Sequence, residues 1–442
     1  MTTVAQEYPY VATVSNELLQ EVCSGCFLRR SDVKRCARCK VLYYCSQQCQ
    51  KDDWADHKEE CALLANVSPK IPTAMARLMT RILLKRRREE QGTATPYTAF
   101  NTRTFEELMD HKANIQKDAT RCEFFVCLSQ VLYEYVGPDL LRPAENLLSV
   151  FGKIVVNCFS IFDDELTTIG TGLYIGLSGQ DHSCCPDAFV LFNGKKALLR
   201  VPHSNAKYSR ELRVCYTELM QLNTRRGLEL KQHYYFNCSC RLCQDLQRDS
   251  LARSLRCTRC RDGVCLVDEE MRELVCRDCG QPQKITIHEA LSMNQELEWE
   301  LQRCEKDKTL QLNRQLQETI EKYEKFIKVL SNVNMFLAIY GQRILSGAFQ
   351  MKKTDLLEKY AFVSVRAFKE FLPVGHPELS IRLLMAAEAA ASSPHLTVDV
   401  VVAVDEAYSS LLISHGPQHP LSSQAAAMQA NIRTRLQNQN AC

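Results

Sequence analysis

The segment at residues 23–61, CSGCFLRRSDVKRCARCKVLYYCSQQCQKDDWADHKEEC, holds eight soft metal donors in four pairs: Cys23/Cys26, Cys36/Cys39, Cys45/Cys49 and His57/Cys61. A CxxC pair lets two thiolates of one tight turn reach the same zinc at about 2.3 Å, and a histidine four residues before a cysteine shares one face of a short helix with it. Eight donors make two tetrahedral sites. The expected wiring is interleaved, with Cys23, Cys26, Cys45 and Cys49 on one zinc and Cys36, Cys39, His57 and Cys61 on the other. Disulfides or unrelated buried thiols would not explain the placement of His57. A second pair of knuckles, Cys257/Cys260 and Cys276/Cys279 in LRCTRCRDGVCLVDEEMRELVCRDCG, has zinc-ribbon spacing and predicts a further ion, with Cys265 as a bystander. Twenty-three cysteines clustered in this way point to a reducing compartment.

These donors need elements to position them. Over residues 68–90 apolar residues recur at helical spacing, and the helical reading continues through FEELMDHKANIQKDATRCEFFVCLSQVLYEYV and AENLLSVFGKIVVNCFSIFD, with breaks at Gly137-Pro138 and Arg142-Pro143. Cys122, Cys127 and Cys158 fall singly on those apolar faces and read as inert core thiols. The run Lys85-Arg86-Arg87-Arg88 reads as a solvated helix end ahead of a polar loop. At Thr167 the texture changes to short glycine-punctuated β runs: TTIGTGLYIGL, DAFVLFNGKKALLRV with Asn193-Gly194 as a hairpin turn, and RELRVCY. From Ile287 onward the pattern is helical. A weak repeat there is anchored at His376-Pro377 and His419-Pro420, and the alanine-rich MAAEAAASS reads as a close helix contact.

The closing YYCSQQCQKDDWADHKEEC makes residues 23–61 resemble a MYND finger, a protein-interaction module that accepts proline-rich peptides and whose zinc replaces a core too small to fold alone. The order of that finger, a helical insert, GTGLYIGLSGQDHSCCPDAFVLFNG, ELRVCYTEL and YYFNCSCRLC resembles the SET and MYND domain (SMYD) lysine methyltransferases over about residues 8–243. The resemblance implies an α+β fold: a split SET β-fold interrupted by the finger and a helical insert, then a zinc-binding post-SET region and an α-helical TPR-like C-terminal domain. The corresponding boundaries are 1–22 for a residual N-terminal SET strand, 23–61 for the finger, 62–165 for the insert, 166–236 for the SET core, 237–285 for the post-SET zinc region and 286–442 for the helical domain. It further implies that Asp181 and His182, in DHSCCPD, hold S-adenosylmethionine together with Asn114 and Phe236. Tyr216 matches the active-site tyrosine that orients the substrate amine, and Tyr234, with Phe236, walls the lysine channel. Cys184 joins Cys238, Cys240 and Cys243 in a zinc site, so that cofactor wall and metal form one unit.

The sequence departs from that pattern where it touches the cofactor. The family's glycine-turn strand pair has no counterpart ahead of EYPYVATVS, Asp181 and Asp187 stand where asparagines are usual, and SREL at 209–212 replaces GEEL. An ionised Asp181 can accept hydrogen bonds but not donate them. Two readings therefore stand side by side. One is S-adenosylmethionine-dependent methylation of protein lysines, histone or non-histone; the other is a catalytically weak or inactive zinc scaffold for protein–protein contacts in transcriptional regulation. A net charge of +3, from 55 basic and 52 acidic residues, gives no global field for nucleic acid. No base-reading helix follows the zinc pairs, so an anionic partner would have to find a local patch. No apolar run of about 18 residues and no signal-like start is present, which argues against a membrane span or secretion. A monomer in nucleus and cytoplasm is expected.

Overall fold

The computed structural model describes residues 2–94, 96–141, 144–201, 212–260, 262–306, 312–393 and 396–440. Strands β1 (Thr2–Glu7) and β2 (Val11–Val14) precede the finger, β3 (Lys34–Arg35) and β4 (Tyr43–Tyr44) lie within it, and β5 (Cys158–Phe162), β6 (Thr168–Leu173), β7 (Phe189–Asn193) and β8 (Lys196–Val201) follow the helical segment. Strands β9 (Leu255–Arg256) and β10 (Val264–Cys265) make a small ribbon further on. The two larger sheets, ordered β1-β8-β7 and β2-β6-β5, are antiparallel. Each takes one strand from before the finger and two from after the helices, so neither closes until both parts of the chain are present.

Several sequence expectations shift by one element. CFSIF, read as the end of a helix, is β5; the helix stops at Asn157. The reason lies across the ladder, where Phe159 faces Gly172 and Ile161 faces Gly170, so bulky residues cover glycines that have no side chain to pack. The helical reading of 105–136 holds for Lys112–Ile115 and Ala119–Val136 but not for the turns before them. Of RELRVCY, residues 210 and 211 lie outside the described residues, and Val214 forms only a parallel bridge to His182. Cys127 is solvent-exposed, not a core thiol. The β7–β8 turn falls one residue later than expected: Asn193 still pairs with Lys196, and Gly194 and Lys195 close the loop. Gly194 has φ +57°, and a Cβ there would stand 2.1 Å from the Cys26 carbonyl oxygen, which also accepts from the Lys195 N–H at 3.1 Å. This hairpin is thus seated directly on the first knuckle of the finger.

Three apolar cores follow. One joins the finger to both sheets through Val14, Phe27, Ile161, Tyr174 and Leu199. The second packs the helices Ala74–Glu90, Ala119–Val136 and Ala144–Asn157 around Tyr10, Ile82, Leu132 and Phe151. The third runs from Cys184 and Leu219 through the ribbon into the C-terminal helices. Pro377 and Pro420 each open a helix, Pro377–Ala391 and Pro420–Asn440, as suits a residue with no N–H to leave unpaired. Ala387 and Ala389 are fully buried, so the alanine run is a close helix contact as expected.

The helix Ala74–Glu90 does more than fill space. Arg77, Arg81 and Lys85 donate in turn to the backbone carbonyls of Val14, Ala12 and Tyr10, the last two at 3.2 and 2.7 Å. The match is geometric. Four residues rise about 6 Å along a helix and two residues about 6.6 Å along a strand, so every fourth side chain meets every second carbonyl. Strand β2 is an edge strand, and these cations satisfy its outer rim. Arg81 also bonds Glu60 at 2.8 Å and Asp53 at 3.2 and 3.3 Å, both in the finger. Burial would push the Glu60 carboxyl up, but the Arg81 guanidinium outweighs it and holds the group down at about 2. The basic run is therefore only partly solvated: Lys85 is buried, Arg87 is exposed, and Arg87 and Arg88 pair with Glu59, and Arg88 with Asp56 at 3.2 Å. Replacing Arg81 by Met leaves two buried carboxylates without their cation and is expected to lower urea-unfolding stability by about 3–5 kcal/mol. Lys85→Met removes one hydrogen bond and the ammonium's contacts with the Tyr10 and Tyr97 rings, and is expected to cost about 1–2 kcal/mol. Equal effects of the two changes in zinc-saturated buffer would show that Arg81 has no special place in the network.

Candidate zinc centres and active-site cleft

All sixteen metal ligands expected from the sequence come together, in the four expected quartets: Cys23/Cys26/Cys45/Cys49, Cys36/Cys39/His57/Cys61, Cys184/Cys238/Cys240/Cys243 and Cys257/Cys260/Cys276/Cys279, with the donor atoms of each group within 4.8 Å of one another. The S···S separations run from 3.4 Å for Cys45–Cys49 to 3.8 Å for Cys26–Cys45, with Cys184–Cys243 at 3.5 Å and Cys257–Cys279 at 3.7 Å. A tetrahedron with Zn–S bonds of about 2.3 Å has edges of about 3.8 Å, whereas a disulfide needs about 2.05 Å. The donor sets fit zinc. In the second quartet the outer shell is also in place, because His57 Nε2 faces Cys39 at 3.7 Å while its Nδ1 faces Glu60 at 3.5 Å, and Glu60 is held by Arg81. Cys265 is fully buried beside the fourth quartet and outside it.

The third quartet reaches into the DHSCCPD loop. His182 accepts the Tyr216 N–H on Nδ1 at 3.0 Å, which puts its own proton on Nε2, 3.2 Å from Cys184 Sγ. One imidazole thus links a metal thiolate to the backbone of Tyr216. The His182 ring lies 5.1 Å from the Tyr216 ring and 5.6 Å from Phe236, and Tyr234 lies 4.9 Å from Tyr216, so four of the expected site residues form one aromatic cluster. The Tyr216 hydroxyl donates to the Gln180 carbonyl. Burial, the Asp181 charge and Tyr234 push its pKa up, so it is a neutral phenol. Asp181 itself is exposed, and its backbone carbonyl accepts from Val214 at 2.9 Å. Asp187 has a structural use: its carboxylate accepts the Arg213 N–H at 3.3 Å, a bond an asparagine oxygen could also accept. Residues 209–211 of SREL lie outside the described residues. Asn114 is exposed and is not brought to the cluster: its side chain faces His111 at 3.4 Å, whose ring lies 5.3 Å from Tyr235.

Tyr216 and Tyr234 also line a cleft of about 1360 Å³ between the β sheets and the C-terminal helices, whose far wall includes Phe336, Tyr340, Arg343 and Arg382. Asp181, His182, Phe236 and Asn114 do not line it. Tyr216 is therefore shared, with the cleft on one side and the His182–Phe236 pair against its ring. Other polar groups carry no signal in the sequence. Glu7 accepts the N–H groups of Gly176 and Leu177, each at 2.8 Å, from 169 and 170 residues away, and no spacing rule could connect them. Arg121 stacks on Tyr235 and donates to the Gln232 and His233 carbonyls. Arg121 Nη1, the Tyr235 hydroxyl and Gln180 Oε1 are buried with no hydrogen-bond partner. The first two lie together beside His111 and the third on the residue that holds the Tyr216 hydroxyl, and such orphaned atoms suit a polar ligand.

Comparison with known proteins agrees with this geometry. First, the MYND finger family matches residues 23–61, the segment that holds the first two quartets. Beyond the finger, the chain is 26% identical to histone-lysine N-methyltransferase ASHR1 of Arabidopsis thaliana over 441 residues, 96% of this chain and 89% of that protein. It is 26% identical to histone-lysine N-methyltransferase Smyd1 of Mus musculus, over 98% of this chain and 86% of that protein. The similarity to histone-lysine N-methyltransferase SMYD3 of Homo sapiens is 30% over 242 residues, 55% of this chain and 56% of that protein. The resemblance to SET and MYND domain proteins drawn from the motifs is borne out.

Zinc-loaded protein is expected to carry four zinc ions per chain by elemental analysis, and one or none would refute the assignment. Cys184→Ser should lower the count by one and also raise amide hydrogen exchange around Gln180 and Tyr216, because one residue serves metal and loop. Unchanged exchange with one zinc lost would separate the two.

Proposed function

We propose that the chain is an S-adenosylmethionine-dependent protein-lysine methyltransferase, acting on lysines of histone or non-histone proteins as a monomer in nucleus and cytoplasm. In this reading the strands before the finger and those after the helical segment are the two parts of a split SET fold, rejoined in both β sheets, the C-terminal helices are a TPR-like domain, and the divisions at 22, 61, 165, 236 and 285 are its domain boundaries. The finger would be the contact for proline-rich peptides.

The observation that carries the proposal is the shared position of Tyr216, between a cleft of about 1360 Å³ and the aromatic cluster of His182, Tyr234 and Phe236. Bound S-adenosylmethionine supplies an electrophilic methyl group on a sulfonium. The residues present do the rest. Arg121 Nη1 and the Tyr235 hydroxyl are the free donors for its carboxylate and ribose, and Phe236 and His182 offer ring faces. Because Tyr216 gives its proton to the Gln180 carbonyl, its oxygen keeps lone pairs that can accept an N–H of a lysine amine and aim the nitrogen's own lone pair. Tyr234, 4.9 Å away, narrows the passage and excludes water, which disfavours the charged ammonium. The second reading, a scaffold with little or no transfer, is favoured by one feature: the exposed Asp181 carboxylate in the loop, which cannot donate where the motif's amide would.

Calorimetry with S-adenosylmethionine separates them. If the ligand binds, Tyr216→Phe is expected to leave its affinity unchanged and to slow methyl transfer to a lysine peptide about a hundredfold, since the lost group acts in the transition state. Equal rates would remove Tyr216 from the mechanism. If the parent does not bind and Asp181→Asn does, the carboxylate is the cause and the scaffold reading describes the parent. Absence of binding by both would end the enzyme reading.

A further inference from the structure

The near-zero net charge of the chain hides an uneven distribution within the finger. Its acidic half is neutralised by the helix Ala74–Glu90: Asp53 and Glu60 pair with Arg81, and Asp56 and Glu59 with Arg87 and Arg88. The other half is left uncompensated. Arg30, Lys34, Arg35, Arg38 and Lys40 are all exposed, and among the described residues none has an ion pair or a side-chain hydrogen bond; Asp32 is the lone acid among them. The neighbouring Arg29 differs, because it pairs with Glu21 and with Asp163 at 3.2 Å. The backbone that carries most of these cations is also held in place. Lys34 and Arg35 form β3 and pair with Tyr44 and Tyr43, Arg38 lies between the quartet ligands Cys36 and Cys39, and Lys40 sits at φ +57° on the same knuckle.

We propose that this knuckle is a docking surface for an acidic, extended protein segment. Charges carried on a zinc-stapled turn present an attractive surface with little backbone entropy to lose on binding, unlike lysines on mobile loops. Exposed Leu28 and half-buried Val33 add apolar contacts, so the segment that fits has carboxylates alternating with apolar residues. Single-stranded nucleic acid fits less well, since residues 28–40 contain no aromatic ring on which a base could stack. The site is separate from the cleft and does not depend on methyl transfer.

The test uses the full zinc-loaded chain and three fluorescent probes in anisotropy titrations: a peptide alternating Glu and Asp with Leu and Val, its Gln/Asn counterpart, and a short DNA duplex. The acidic peptide is expected to bind, to weaken as salt rises from about 50 to about 200 mM, and to bind at least about tenfold more weakly to Arg35→Glu/Arg38→Glu. The neutral peptide should not bind. The double variant must keep the parent's zinc content; if it does not fold, Lys34→Gln/Lys40→Gln replaces it, with an expected loss of about threefold. Failure of the acidic peptide to bind, unchanged affinity in a folded variant, or tighter binding of DNA than of the peptide at about 150 mM salt would each overturn the proposal.

Discussion

Three cations on one helix hold the edge of one strand, and much of the N-terminal half is arranged around that contact. Val14, Ala12 and Tyr10 turn their carbonyls away from β6, and without Arg77, Arg81 and Lys85 they would be buried acceptors with no donors. The cations in turn would be buried charges without the carbonyls and without Asp53 and Glu60. Neither partner can be placed first. Because Glu60 also faces His57, the outer shell of the second metal quartet is set by the same helix, so finger, sheet and helical segment share one electrostatic network.

The metal quartets extend that logic where the chain has little apolar material to use. The hairpin of β7 and β8 rests on the Cys26 carbonyl, which orients the first knuckle against the sheet. Cys184 binds the DHSCCPD loop to the turns at Cys238, Cys240 and Cys243, which follow the helix Asn223–Tyr234. Tyr216 is positioned from both sides, through His182 at its backbone and through Gln180 at its hydroxyl, with Tyr234 delivered by that same helix. A thiolate, an imidazole and two aromatic rings thus make one unit, and a change in metal occupancy there would be felt as a change in aromatic geometry.

How much of this could be read in advance depended on the range of the interaction. The ligands of the finger and of the ribbon were legible because each pair lies within one turn, where spacing nearly dictates geometry. Cys184 was legible only through the order of motifs, since it joins its partners from 59 residues away in the case of Cys243. CFSIF was misread because a short apolar run has no period of its own, and glycines in another strand decided its state. Lys85 to Arg88 looked like a solvated end because the sequence does not say that Tyr10, Asp56 and Glu59 lie beside it. The basic residues that are free, at 30–40, were less conspicuous because cysteines and a carboxylate interrupt them.

The cleft depends on where the C-terminal helices are hung, and a few polar contacts settle that. The ribbon is stitched to the segment between the helices Leu312–Phe326 and Met335–Gln350: the Arg256 N–H donates to the Val329 carbonyl at 2.8 Å and the Ser331 N–H to the Ser254 carbonyl at 3.1 Å. Around this seam Ser254 and Ser331 share a hydrogen bond of 2.6 Å, and Asn334 donates to Asn294 at 2.9 Å, all four residues being buried. Fully paired polar groups in an apolar core fix one orientation where aliphatic packing alone would tolerate several. The seam begins at Cys257 and its metal quartet, so the fourth site holds the wall that carries Phe336, Tyr340 and Arg343 opposite Tyr216. That gives the ribbon a positional use in the architecture: it supports one side of the cleft without lining it.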